Sequence, residues 1–231
     1  MSLTWKTKEK MIMMGFVFVN SMVLYPNFKR KYQELFKTKA KVTHTAFFDI
    51  EIEGEDEGRI VIDLYGEEAP KTVNNFLGLC MAAHDQRHSY WNSKFHKIVP
   101  DYIIQGGDII NENGEGSCSV YDEDTFDMEI NKLKFKEPYL LAAAKRADGK
   151  IGSQFFITND TLPFLNGKYC IFGKVSDNNE LCDLISACGS PEGIPEKDVR
   201  IKRSGIYKAA PKKNKSAAEL TDFKADISKR N

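Results

Sequence analysis

Residues 43–65 read THTAFFDIEIEGEDEGRIVIDLY, and their pattern decides how the rest of the chain is read. Phe48, Ile50 and Ile52 recur at every second position, the spacing that puts side chains of an extended backbone on one face. The glycine-punctuated acidic run EGEDEG then supplies a turn before a second strand-like segment, RIVIDLY. Two such runs joined by a turn predict a β-hairpin.

The segments that follow extend this pattern. EEAPKTVNNFLGLCMAA (67–83) reads as a helix, with Pro70 near its start and Val73, Phe76, Leu77 and Cys80 on one apolar face. KFHKIV (94–99), YIIQGG (102–107), LLAAA (140–144), SQFFITN (153–159) and YCIFGKV (169–175) are strand candidates separated by loops containing Asp148-Gly149 and Asn166-Gly167. NELCDLISACG (179–189) reads as a second helix and DVRIKRSGIY (198–207) as a closing strand. Many antiparallel strands with two helices predict a mainly β fold, a closed barrel capped at its ends rather than an alternating parallel sheet.

Outside that body, residues 1–42 form an apolar and basic extension and residues 208–231 a basic tail. Over the 231 residues, 33 basic and 33 acidic side chains cancel, but residues 42–208 carry 18 basic against 28 acidic, a formal charge of −10. An acidic body with basic ends argues against direct nucleic-acid binding by the main domain. Near the start, Lys6, Lys8 and Lys10 precede the apolar run Met11 to Val19, which is too short to span a bilayer. Phe28, Tyr32, Leu35 and Phe36 then fall at helical spacing. A retained arm packed on the body, in a cytoplasmic monomer without a transmembrane segment, is the expectation; an organellar or secretory targeting segment is the alternative.

The five cysteines, Cys80, Cys118, Cys170, Cys182 and Cys188, include no CxxC pair, which suits a reducing compartment better than a disulfide framework. His84 and His88 are four apart, but no Cys or carboxylate completes a metal set, and a solvated loop is the better reading. No metal and no cofactor are expected. Gly106-Gly107 lacks the spacing of a phosphate loop, and close backbone approach at a strand end explains it.

FFDIEIEGEDEGRIVIDLYGEEAPKTVNNFLGL, FHKIVPDYIIQGGD, GSQFFITN and FLNGKYCIFGKV, in this order and at these separations, resemble the cyclophilin family of peptidyl-prolyl cis-trans isomerases over about residues 43–207. The resemblance implies an eight-stranded antiparallel closed β-barrel capped by two α-helices that binds proline-containing peptides and client proteins on its outer face. The family's catalytic arginine falls on Lys97, and its motif glutamine on Gln105. Phe95, Gln154, Phe156 and Leu165 match the family as written, and the resemblance implies that they bind substrate. Tyr102 and Ile103 fall on the phenylalanine and methionine that wall the proline pocket. Ala144 falls on a small residue, and Lys145 on an asparagine, that contact the peptide backbone. Phe164 replaces a tryptophan that contacts peptide and cyclosporin, and Tyr169 replaces a pocket histidine.

These replacements shape the functional expectation. Lysine keeps the charge of arginine but not its planar fork, so a prolyl isomerase with reduced activity is expected, assisting protein folding. A proline-peptide-binding or chaperone module without useful turnover is the alternative. Loss of the indole N–H at Phe164 predicts weakened cyclosporin binding. Glu112 and Glu115, in the loop ENGEGSCS, would make the neighbouring rim acidic and favour basic or polar residues upstream of proline. His96 needs no general-base role, because the reaction moves no proton.

Overall fold

A computed structural model describes residues 40–81 and 88–207, and the terminal arms and His84 lie outside them. The opening hairpin forms as its alternation predicts. Strand β1 (His44–Ile52) pairs antiparallel with β2 (Glu55–Leu64), and Phe48, Ile50, Ile60, Ile62 and Leu64 all turn to the interior. Helix α1 (Pro70–Met81) follows and buries Val73, Phe76, Leu77 and Cys80. It begins on Pro70, whose missing N–H costs nothing in the first turn. Its next two N–H groups are held from a distance: Lys71 N donates to Glu129 Oε1 at 3.1 Å, and Thr72 N to Glu129 Oε2 at 2.7 Å.

The remaining strands are β3 (Ser93–Lys94), β4 (Lys97–Val99), β5 (Ile103–Gly106), β6 (Phe126–Asp127), β7 (Leu140–Ala143), β8 (Lys150–Ile151), β9 (Phe155–Thr158), β10 (Ile171–Asp177) and β11 (Val199–Tyr207). Helix α2 (Asn179–Ser186) precedes β11 and is shorter than the periodic run NELCDLISACG. Nine strands make one curled sheet in the order β3-β11-β1-β2-β10-β7-β9-β5-β4, and β6 pairs with β8 separately.

The expected closed ring of eight strands is therefore realised differently. KFHKIV is interrupted at Phe95 and His96, so its two halves, β3 and β4, lie at opposite ends of the strand order. Three Cα steps separate Lys94 from Lys97, which holds those two edges within about 11 Å of each other. The covalent chain, rather than a ladder of hydrogen bonds, brings the edges together.

The interior is dominated by aromatic side chains. Phe48, Phe76, Tyr90, Phe155 and Phe172 interlock with ring centroids 5.2–5.7 Å apart. A second apolar cluster lies on the outer wall over β5, β7 and β9 and contains Ile103, Phe135, Ala142, Phe156 and Leu165. Alternation along β9 divides the two: Phe155 belongs to the inner cluster and Phe156 to the outer one. Gly107 adopts φ +82° after β5, and a Cβ there would lie 2.5 Å from the Ser153 carbonyl oxygen. Close approach, not phosphate binding, accounts for the paired glycines.

Candidate active site on the outer wall

Strand register assembles a row across the outer wall. Lys97 of β4 is paired with Gln105 of β5, Gln105 with Phe156 of β9, and Phe156 with Ala142 of β7. Neighbouring strands lie about 4.8 Å apart, so Lys97 and Phe156 are separated by about 10 Å of outer surface. Alternation also sends Ile98 fully inward while Lys97 stays exposed. The Lys97 stem runs along Gly193: a Cβ at that glycine would come within 3.2 Å of Lys97 Cγ and Cε. Gly193 has φ +85°, and its carbonyl accepts the Ile98 N–H at 3.0 Å, so the loop is fastened beside the lysine.

Gln105 is fixed by a chain of amides. Its Nε2 donates to Gln154 Oε1 at 3.0 Å, and Gln154 Nε2 donates to the carbonyls of Gly114 (2.8 Å) and Gly116 (2.6 Å). The loop carrying those carbonyls is organised around the fully buried Asp108, which accepts backbone N–H groups from Ile110, Asn111, Asn113, Gly114 and Gly116. Burial opposes ionisation of Asp108, but these backbone donors prevail and hold its pKa below the usual 3.8. Ala144 contributes its N–H to the Gln154 carbonyl at 3.0 Å, tying the end of β7 to the same centre.

Next to this row lies an aromatic slot. Phe156 is buried between Phe135, stacked at 6.1 Å and 14°, and Tyr169, edge-on at 5.2 Å and 86°. A short 3-10 turn, Pro163–Leu165, turns Leu165 into the wall and leaves Phe164 57% exposed, where it stacks on Tyr102 at 6.0 Å. Burial, then the neighbouring Tyr169 phenol, pushes the Tyr102 hydroxyl above its ordinary pKa, so it remains a neutral donor. Lys145 is exposed and places its ammonium 5.4 Å from the centre of the Tyr169 ring.

Two sequence expectations meet different surroundings. Phe95 is fully buried in the barrel interior, 6.1 Å from Phe155, and is not brought to the outer slot. Its place beside the break between β3 and β4 makes it a core anchor of the segment that carries Lys97. Glu112 does not offer a free acidic rim: Arg200 Nη1 and Nη2 bind its two carboxylate oxygens at 3.0 and 3.2 Å.

Sequence reasoning misses Phe135 as part of the slot. It lies in NKLKFKE (131–137), where the alternation of Leu133 and Phe135 with lysines is the signal, though this segment joins no strand ladder. His96 turns away from the slot: both ring nitrogens are buried without hydrogen-bond partners, and a Cβ at Gly114 would lie 3.1 Å from its Cδ2. All five cysteines are buried and free. Among the described residues, no group of three or more His, Cys, Asp or Glu side chains is placed to hold a metal, and no helix is long and apolar enough to cross a membrane.

A curled antiparallel sheet carries an aromatic slot and, in one row, a fixed amide and an exposed cation, an arrangement suited to holding an extended peptide. The family model described as "Cyclophilin type peptidyl-prolyl cis-trans isomerase/CLD" matches residues 47–206. A Saccharomyces cerevisiae protein named peptidyl-prolyl cis-trans isomerase D is 38% identical over 190 residues, covering 81% of this chain and 84% of the yeast protein. The chain belongs to the cyclophilin-type peptidyl-prolyl cis-trans isomerase family, whose members bind proline-containing substrates and cyclosporin.

Proposed function

We propose that this isomerase turns X-Pro bonds in the outer slot with Lys97 as its polarising cation, at a rate below that of an arginine in the same place. The observation that supports this reading is the row Lys97, Gln105, Phe156, which sets one exposed cation beside an amide and an aromatic floor. The reaction breaks no bond and moves no proton. Its barrier, near 20 kcal/mol, is the partial double-bond character of the prolyl amide, and twisting that amide concentrates electron density on nitrogen.

Each part of the site then has a role. Phe156, Ile103, Leu165 and Tyr169 immobilise the flat pyrrolidine ring, with Tyr102 and Phe164 at the rim. Gln105, the Ala144 segment and Lys145 hold the neighbouring peptide backbone, and Gln154 keeps the Gln105 amide in place. Lys97 donates toward the atoms whose polarity rises as the amide twists, and that interaction is stronger in the transition state than in either ground state. An ammonium is more strongly hydrated than a guanidinium and lacks its rigid fork. Weakening one charged hydrogen bond by about 1.5–3 kcal/mol slows turnover roughly 10- to 150-fold.

The test is isomerisation of an Ala-Pro peptide by the parent, Lys97→Arg and Lys97→Ala. Measurable acceleration by the parent, a gain with arginine and a loss with alanine are expected. No acceleration by the parent, with a gain only in Lys97→Arg, would leave a proline-peptide-binding module in place of a lysine-driven isomerase.

A further inference from the structure

The rim of the outer slot is basic, although the domain as a whole is acidic. Residues 42–208 carry a formal charge of −10, yet Lys97, Lys132, Lys134, Lys136, Lys145 and Lys168 all fall on segments that build or border the outer apolar cluster. Lys132, Lys134 and Lys136 alternate with Leu133 and Phe135, which pack into that cluster, and Phe135 stacks directly on Phe156. Lys168 precedes Tyr169, and the Lys145 ammonium lies over the Tyr169 ring.

None of these lysines has a carboxylate within ion-pair distance among the described residues. Lysines elsewhere on the barrel commonly do: Lys94 pairs with Asp198 at 2.9 Å, Lys150 with Glu123 at 3.6 Å and Lys202 with Asp56 at 2.7 Å. Acidic groups near the slot are few or already engaged. Glu137 is bound to Lys174 and Glu112 to Arg200. Glu115 rides on the loop whose carbonyl accepts Arg146 Nη1 at 3.0 Å, so that cation and carboxylate offset each other. Asp101 and Asp160 occupy the two turns that flank Tyr102 and Asn159 at one end of the slot.

We infer that the isomerase selects proline-containing segments with anionic side chains near the proline. This deepens the proposed function and rests on the outer slot being the substrate site. Unpaired cations around a low-dielectric apolar floor repel one another and focus a positive potential onto it, and an anionic peptide relieves that repulsion while burying its proline. At about 7–10 Å from two or more ammonium groups, a carboxylate gains roughly threefold to tenfold in kcat/KM at low salt. The inference runs opposite to the expectation drawn from Glu112 and Glu115, a preference for basic or polar residues upstream of proline.

The experiment measures kcat/KM of the full chain on Ala-Pro peptides carrying Glu, phosphoserine, Gln or Lys two positions before or two positions after the proline. Low salt and about 0.5 M salt are compared, since the latter shortens screening to a few Å. Glu or phosphoserine peptides should exceed Gln about threefold or more, and Lys peptides should fall below it. The preference should collapse at high salt and in a Lys132→Gln, Lys134→Gln, Lys168→Gln variant that keeps the parent's melting temperature. A gain with only one of the two anions identifies which source the rim reads. Parity of all four peptides at low salt, or a preference unchanged by salt and by the triple variant, overturns the inference. So does a single-stranded oligonucleotide that blocks turnover more strongly than an acidic peptide, which would assign the rim to nucleic acid. Failure to turn over even the Gln peptide instead defeats the isomerase reading itself.

Discussion

Lys97 and Gln105 face each other as a registered pair across β4 and β5, and the amide of Gln105 is pinned by Gln154 at 3.0 Å. With one amide N–H committed to Gln154, Gln105 keeps its second N–H and its carbonyl oxygen for further partners. In the proposed mechanism, a neutral amide opposite Lys97 attracts its ammonium only weakly and leaves it for the twisting prolyl bond.

Gln105→Glu tests that balance. A carboxylate directly opposite Lys97 would form a charge-assisted hydrogen bond roughly twice as strong as the neutral one and draw the ammonium away from substrate. We expect kcat/KM on an Ala-Pro peptide to fall about tenfold or more, and the melting temperature to fall as well, because a carboxylate cannot replace the N–H that Gln105 donates to Gln154 Oε1. Turnover equal to that of the parent would show that Lys97 acts independently of its cross-strand neighbour.

Much of this arrangement is legible in the residues themselves. The period-2 run around Phe48, Ile50 and Ile52 locates the hairpin, and the apolar positions of α1 name its buried face. Periodicity cannot decide between Phe155 and Phe156, because adjacent identical residues on a strand differ only by which face meets the core. It also treats KFHKIV as continuous. The break at Phe95 and His96 is imposed by tertiary demand, since one short segment must serve both edges of the sheet. That same demand makes Phe95 an interior anchor. The pairing of Glu112 with Arg200 spans 88 residues of sequence, and no local pattern announces it.

Glu129 is a second long-range contact with a measurable consequence. Its carboxylate accepts two backbone N–H groups and the Thr72 hydroxyl at the start of α1, 57 residues away for Thr72, where the helix has no acidic residue of its own. A carboxylate there satisfies orphan donors and complements the positive end of the helix dipole. Glu129→Ala should destabilise the fold by about 1–2 kcal/mol and lower the melting temperature by roughly 2–6 °C. Turnover of the Ala-Pro peptide should stay within about twofold, because the Glu129 carboxylate is bound to Lys71 and Thr72 of α1 and not to a slot residue. An unchanged melting temperature would show that water replaces the cap without loss.

Phe164 separates inhibitor binding from catalysis. It is the most exposed aromatic of the slot, held by stacking on Tyr102, and as phenylalanine it offers no N–H. Phe164→Trp adds an indole donor and more apolar contact area at an open rim. We expect cyclosporin affinity to rise about tenfold, the value of one hydrogen bond near 1.4 kcal/mol, while kcat/KM on the Ala-Pro peptide changes less than about threefold. Equal cyclosporin affinity in the two proteins, measured by calorimetry, would remove residue 164 as a determinant of cyclosporin binding.

His96 gives the fold a predictable response to acid. Burial is the main influence and lowers its pKa below the usual 6.5; Asp108 opposes that shift, and Lys97 adds to it. Because the folded protein resists protonation that the unfolded chain accepts, the unfolded state binds more protons as pH falls through about 6.5. Stability is then lost below that pH, until the folded ring also becomes charged. Above about pH 7.5 the ring is neutral in both states and contributes no slope. His96→Leu removes the titration while keeping an apolar group against Gly114. The difference in melting temperature between about pH 7.5 and about pH 5.5 should be smaller in His96→Leu than in the parent, and the remaining histidines, common to both proteins, cancel in that comparison. Parallel pH profiles for the two would mean that the His96 ring takes up its proton in the fold as readily as in the open chain, through a partner such as the Asp108 carboxylate.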